Sequence, residues 1–370
     1  MKFFCDKEKL LLGLNIVQKG VSSKTTQPIL EGILIETMET TIKLTSNDLE
    51  IGIECIIDAN IKEQGAVVIE SKMFGDIVRR LPDSEILISL DREGLFTIDC
   101  EGSLYKLSSL DPNEFPRLPE IKANESVSIK QSIIKDMIKQ TLFAASADEN
   151  RPIFTGCLLE VKENNLNMVA VDGFRLSFRN NPFEGEGKDF SAVIPGKTLN
   201  EILKILQSNE ELISINISKN QVLFEMERCK IVSRLLEGEF LNYKNAIPVE
   251  NETRIKVNKN NLLSAFERIY LITREEKKYP VKMKIDNNKL NIICNSTLGN
   301  AKEDIIIETE GKGIEIGFNA KYFIDALKAI EDEEIYADFT TSMAPCVLKP
   351  IREEKFIYMI LPVRIREESV

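Results

Sequence analysis

The chain has 370 residues, 43% of them hydrophobic and 29% charged, which is too long for one ordinary core and offers no apolar run near the roughly 20 residues of a membrane span. Its net charge of −11 excludes a uniformly basic nucleic-acid binder but leaves room for a local basic face. Histidine is absent, so Ser-His-Asp relays, Cys-His relays and histidine metal sites are excluded.

The opening FFCDKEKLLLGLNIV predicts a short strand followed by an amphipathic helix. Charged residues in MKFFCDKEKL stand where a signal peptide would carry its apolar core, so a cytoplasmic location is expected. GILIETMETTIKLTS then alternates as strands do, VVIESKMFGDIVRRLP carries a second helix, and EILISLDREGLFTIDC and LYKLSSL add further strands. After a polar, proline-bearing junction near 116–126, SIKQSIIKDMIKQTL, GCLLEVKENNLNMVAV and VIPGKTLNEILKIL repeat that order. IPVENET at 247–253 is a second junction, and KVNKNNLLSAFERIYLI and IGFNAKYFIDALKAI belong to a third round. One period runs through the landmarks. Lys72, Lys197 and Lys321 stand at intervals of 125 and 124 residues, Pro28 and Pro152 at 124, Asp48 and Asp172 at 124, and Phe115 and Phe240 at 125. The chain therefore reads as α+β, with three repeated modules at 1–122, 123–249 and 250–370.

The second helix of each module carries the clearest pattern. Phe74, Ile77, Val78 and Leu81, then Leu199, Ile202, Leu203 and Leu206, then Phe323, Ala326, Leu327 and Ile330 keep the i, i+3, i+4, i+7 spacing of a buried stripe. Lys72 and Arg79, Lys197 and Lys204, and Lys321 and Lys328 lie on the far side, about 150° from that stripe at 3.6 residues per turn. An acid follows each first lysine by four residues: Asp76, Glu201 and Asp325. A solvated face with Lys/acid pairs accounts for any one helix, and recurrence in all three favours a basic face. Lys135, Lys139 and Arg268 of the first helices extend it. Packed side by side at about 10 Å, six helices close a circle about 19 Å across, too narrow for a duplex, whereas twelve leave a bore of about 28 Å.

MKF with its leucine helix, PIL at 28–30, RPIFTG at 151–156, VDGFRL at 171–176, EGEFLNYKNAIP at 237–248, GFNAKYFIDAL at 317–327 and YMILPVRI at 358–365 occur in order along nearly the whole chain. In these motifs the sequence resembles the bacterial sliding clamps, the β subunits of DNA polymerase III. The resemblance implies a DNA-clamp fold with helices lining a ring and sheets outside. It implies a non-catalytic, cofactor-free and metal-free processivity factor, a head-to-tail homodimer around duplex DNA. Replicative polymerase, clamp loader and repair proteins would dock on it through short peptides.

Carried over motif by motif, the peptide cleft would use Arg151, Phe154, Val171, Gly173, Phe174, Arg175, Leu176, Leu241, Asn245 and Ala246. From the last module it would add Asn319, Tyr322, Cys346, Met359, Leu361, Pro362, Val363 and Arg364. Leu176, Met359, Leu361 and Val363 suit an apolar pocket, and Arg175 and Arg364 could answer carbonyls or a carboxylate. DNA contact would fall to Lys24, Lys72, Arg79, Arg151, Lys197, Lys204, Lys321 and Lys328, without sequence preference. Tyr105 and Leu107 would meet Leu271 and Ile272 of a second copy. Val171, Leu241, Asn245 and Cys346 depart from the family's usual residues, and Arg366 to Val370 run past its usual end.

Two other readings stay open. Asp48 or Asp172 could serve a carboxylate-dependent hydrolase, although an aspartate in such a turn more often bonds nearby backbone amides. A clamp-like ring could also act as an interaction hub with no DNA through it. The seven cysteines contain no CxxC pair and read as small apolar core residues of a reducing compartment.

Overall fold

The computed structural model describes residues 1–22, 25–121, 125–182, 189–273, 280–353 and 355–365. Six α-helices occur among them: α1 Lys7–Val17, α2 Ser71–Arg80, α3 Gln131–Thr141, α4 Gly196–Ile205, α5 Lys259–Thr273 and α6 Ala320–Ala329. Several start at a residue whose side chain satisfies the orphan amides of the first turn. Asp6 accepts from the Glu8 and Lys9 amides at 2.9 and 3.2 Å, Glu70 from Lys72 and Met73 at 2.8 and 2.6 Å, and Asn319 from Lys321 at 3.0 Å. The helices α2, α4 and α6 bury the predicted stripes. Phe74, Val78, Leu81, Leu199, Ile202, Leu206, Phe323, Ala326, Leu327 and Ile330 are buried, with Ile77 and Leu203 half-buried.

The chain divides into two compact units, Met1–Gln131 with Glu201–Leu235, and Ser132–Asn200 with Leu236–Val370. The sequence boundaries follow the repeat, whereas compactness follows the sheets, which join strands of neighbouring repeats. In the first unit, an eight-stranded sheet runs in the order Glu125–Lys130, Leu212–Ile217, Gln221–Met226, Cys229–Arg234, Ile51–Asp58, Thr41–Asn47, Gly32–Thr37, Ala66–Glu70. A five-stranded sheet, Asn60–Glu63, Lys2–Asp6, Glu85–Leu90, Leu95–Cys100, Ser103–Ser108, completes that unit, with Phe74 of α2 set edge-on to Phe96 at 5.4 Å.

The second unit holds a nine-stranded sheet: Phe190–Pro195, Gly156–Lys162, Asn165–Val171, Arg175–Pro182, Phe356–Ile360, Cys346–Pro350, Glu334–Phe339, Thr253–Asn258, Glu308–Gly311. Its four-stranded companion is Gly299–Ile306, Lys289–Ser296, Val281–Asp286, Ile314–Phe318. Phe266 of α5 stacks on Phe323 of α6 at 4.6 Å, and Phe318 meets Phe323 at 5.0 Å. Such ring pairs contribute about 0.5–1.5 kcal/mol each beyond the apolar area they bury.

The repeated turn shows the period in backbone detail. Asp48 accepts from the Glu50 and Ile51 amides at 3.0 and 2.7 Å, and Asp172 accepts from Phe174 and Arg175 at 2.8 and 3.0 Å. The residue after each aspartate has a left-handed backbone, Leu49 at φ 73° and Gly173 at φ 91°. Only glycine takes that conformation without a side-chain penalty. Gly173→Ala should therefore cost about 1–2 kcal/mol of stability, and Leu49→Gly should cost nothing measurable. Urea unfolding of both variants checks this; equal losses would mean that the turn relaxes to another conformation.

Candidate functional site

The Asp172 turn delivers Phe174 and Arg175 to the end of the strand Arg175–Pro182, which pairs antiparallel with Phe356–Ile360. In that register Arg175 lies opposite Ile360, and Leu176 opposite Met359. The chain beyond Ile360 stays tied down. The Leu361 amide donates to the Phe174 carbonyl, and the Val363 amide to that of Gly317, both at 2.8 Å.

Arg175 binds three segments at once. Its Nε donates to Asp172 Oδ2 at 2.9 Å, its Nη1 to Asp325 Oδ2 at 2.8 Å, and its Nη2 to the Phe143 carbonyl at 2.7 Å. Asp325 also receives Lys321 Nζ at 2.5 Å. The guanidinium lies over the Tyr322 ring at 4.7 Å, and Phe174 stacks against Tyr322 at 6.3 Å. Phe174 is 60% exposed, so the stack presents an open aromatic platform. Burial and the Asp172 charge raise the Tyr322 hydroxyl above its ordinary value, with Arg175 opposing, so Tyr322 stays neutral.

An apolar cluster forms the adjoining floor. Val171, Leu176 and Met359 are buried in it with Leu158, Tyr243 and Val347, and Phe154 and Ala246 pack against it. Phe154 is held edge-on to Phe240 at 5.9 Å. Beside Pro362, Val363 and Arg364 opens a groove of about 380 Å³, lined also by Ile316, Gly317, Ser342 and Met343, with Glu315 at its polar side. Floor, platform and groove together suit an extended peptide with apolar and aromatic anchors.

The structure brings most of the expected cleft residues into this one region, with one correction. Cys346 pairs with Ile360 and points to the opposite face of the sheet from Leu176, Val347 and Met359, into the core around Phe318 and Phe323, so it does not share the floor. Arg175 spends three of its five N–H donors within the chain, on Asp172, Asp325 and the Phe143 carbonyl, which leaves one on each Nη for a ligand. It also positions the platform, lying over the Tyr322 ring. Asn319 caps α6 with its side chain, Arg151 Nη1 lies 3.9 Å from a Cβ position at Gly173, and Leu241 and Asn245 are exposed. Sequence reasoning missed Phe143, Tyr243, Ile316, Gly317, Ser342 and Met343 as parts of the site. It also gave Asp172 and Asp325 other settings. Asp172, offered as a hydrolytic carboxylate, is spent on two amides and Arg175.

Lys72, Arg79, Lys197, Lys204, Lys321 and Lys328 are all exposed on their helices. Asp76 pairs with Arg79 at 2.7 Å, Glu201 with Lys204 at 2.7 Å, and Glu267 of α5 with Lys328 at 2.8 Å. Lys24 and the segment Arg366 to Val370 lie outside the described residues. Tyr105 and Leu107 share one face of Ser103–Ser108, the edge strand of its sheet, with Tyr105 exposed. Leu271 is exposed near the end of α5, and Ile272 beside it is half-buried.

Arg175→Lys keeps the charge but loses the planar fork. It should cost about 2 kcal/mol, less than the ~3–5 kcal/mol of a fully buried pair, because the cluster keeps some contact with solvent. Chemical denaturation measures this, and an unchanged midpoint would show that one of the three bonds suffices.

Three family models match the chain: the N-terminal, central and C-terminal domains of the DNA polymerase III beta subunit, over residues 1–119, 128–242 and 244–364. A beta sliding clamp of Halalkalibacterium halodurans is 37% identical, with 98% of this chain and 100% of that protein covered. One of Staphylococcus aureus is 34% identical, covering 98% and 99%. The crystal structure of the DNA polymerase sliding clamp of Bacillus subtilis matches with a TM-score of 0.95 at 34% identity, over 99% of this chain and 100% of that one. The Streptococcus pyogenes β subunit matches with 0.95 at 31%, over the same shares. With three family models and relatives matched from end to end, the chain belongs to the family of bacterial β sliding clamps, the non-catalytic β subunits of DNA polymerase III.

Proposed function

We propose that the chain is a cytoplasmic processivity clamp that encircles duplex DNA as a head-to-tail homodimer. It holds the replicative polymerase, the clamp loader and repair proteins by short peptides laid in the cleft. Each chain contributes three modules, 1–122, 123–249 and 250–370, and two chains give the twelve helices that a DNA-sized bore requires. The observation that carries this reading is the recurrence of exposed cations at equivalent places on α2, α4 and α6 in a chain of the sliding-clamp family. Lys72, Arg79, Lys197, Lys204, Lys321 and Lys328 supply positive potential without base contacts, which is what sliding needs. Several of them sit beside helix carboxylates, which keeps the attraction to phosphate shallow.

In the cleft, the Phe174–Tyr322 platform and the Leu176–Met359 floor accept leucine and phenylalanine anchors. With the Arg175 charge facing Asp172 and Asp325, apolar contact outweighs charge in this recognition. Retention on DNA tests the clamp itself. Protein loaded on nicked circular DNA should co-elute with it through high-salt gel filtration and be lost when the circle is linearised. Equal loss from both forms would leave a hub with no DNA through it.

The dimer contact supports a separate prediction. Tyr105 and Leu107 on an exposed edge strand and Leu271 at the end of α5 are the apolar groups such a ring would cover. Replacing Leu271 and Ile272 together with alanine should yield monomers in sedimentation at low micromolar concentration. A persistent dimer would move the interface elsewhere.

A further inference from the structure

The strands Ile51–Asp58 and Cys229–Arg234 run antiparallel inside the eight-stranded sheet, and their register sets Cys55 opposite Cys229. In the adjoining pair, the Ile56 amide donates to the Arg228 carbonyl at 2.9 Å. Directly opposed residues alternate between hydrogen-bonded and non-hydrogen-bonded pairs, so Cys55 and Cys229 form a non-hydrogen-bonded pair. The Cα atoms of such pairs lie about 4.5 Å apart, inside the ~4.4–6.8 Å span that a disulfide bridges. Both side chains lie on the buried face, and both thiols are free. The other five cysteines have no such partner. Cys5 faces Ile86, Cys100 faces Ser103, Cys157 faces Ile194, Cys294 faces Ala301 and Cys346 faces Ile360.

We propose that Cys55 and Cys229 are a latent dithiol modification site, which a peroxide converts to one intrachain disulfide tying the two strands together. Burial pushes the Cys55 thiol up to about 11, with Arg228 pulling it back, and raises Cys229 further, the neighbouring Cys55 adding to that rise. Cys55 is therefore the attacking sulfur and Cys229 the resolving one. The Cys55 thiolate attacks hydrogen peroxide, forming an S–O bond as the O–O bond breaks. Hydroxide leaves and takes up the Cys55 proton as water. Sulfur is thereby oxidised to a sulfenic acid and the peroxide reduced. Cys229 then attacks that sulfur, the S–S bond forms, and the hydroxyl departs with the Cys229 proton as a second water. Because both thiols are buried and protonated at neutral pH, the reaction is slow, and the pair is silent until peroxide persists.

The test uses the folded full-length protein with hydrogen peroxide, followed by alkylation of remaining thiols in denaturant and peptide mass mapping. A peptide pair joined through Cys55 and Cys229 should appear, two of the seven thiols should be lost, and dithiothreitol should restore both. The rate should rise about tenfold from pH 7.5 to pH 8.5, since both thiols titrate above that range. The link should raise Tm by about 5 °C or more, because it closes a long loop in the unfolded chain. Cys55→Ser and Cys229→Ser should each abolish the link and the Tm shift, and the mapping of the unsubstituted chain decides the matter should either variant fold poorly. Complete alkylation of both cysteines after peroxide, sulfinic acid without the link, or a link from either to another cysteine would overturn the proposal.

Discussion

The antiparallel ladder between Arg175–Pro182 and Phe356–Ile360 is the constraint on which the site depends. It places Leu176 beside Met359 as the floor and leaves Arg175 at the end of its strand, within reach of α6. A slip of one residue would put Leu176 and Met359 on opposite faces of the sheet and break up the floor. The bonds of Arg175 to Asp325 and the Phe143 carbonyl then support the register from outside the ladder. Sheet pairing and charge pairing thus specify the same alignment. The Tyr322 ring, pinned over the guanidinium, inherits its position from both.

How much of this could be read from the chain follows from the range of each interaction. The stripes on α2, α4 and α6 are local, so their period appears directly in the sequence and their burial follows. The turns at Asp48 and Asp172 are local too, and their aspartates bond the amides two and three residues on. Arg175 is different. Its partners lie on a neighbouring turn, on α6 and at the Phe143 carbonyl, and nothing in its own segment tells that all three converge. It reads as a cation available to a ligand, and tertiary pairing adds a role as a clamp for its own scaffold. Cys346 fails for a similar reason: position in a motif says which strand it occupies, not which face of the sheet its side chain takes. Cys55 and Cys229 are invisible as a pair, because only the fold brings together two strands so far apart in the chain.

The same repeat that makes the three modules alike also explains why the floor of the cleft arises where it does. Counting from the two aspartates, Ile51 of the first repeat stands where the second has Arg175, and Gly52 where it has Leu176. An isoleucine cannot draw two carboxylates and a carbonyl around itself, so no counterpart of the Arg175 bridge can form at that position. The neighbouring Gly52 leaves a gap on the sheet, and the chain fills it from within: a Cβ there would lie 2.1 Å from Leu118 Cδ2. Where the second repeat offers Leu176 as a floor, the first has its own leucine lying over a glycine. Two ladders built on one plan, Ile51–Asp58 against Cys229–Arg234 and Arg175–Pro182 against Phe356–Ile360, therefore end differently. One is closed by its own chain over a glycine, and the other sets a buried apolar cluster beside an exposed aromatic platform.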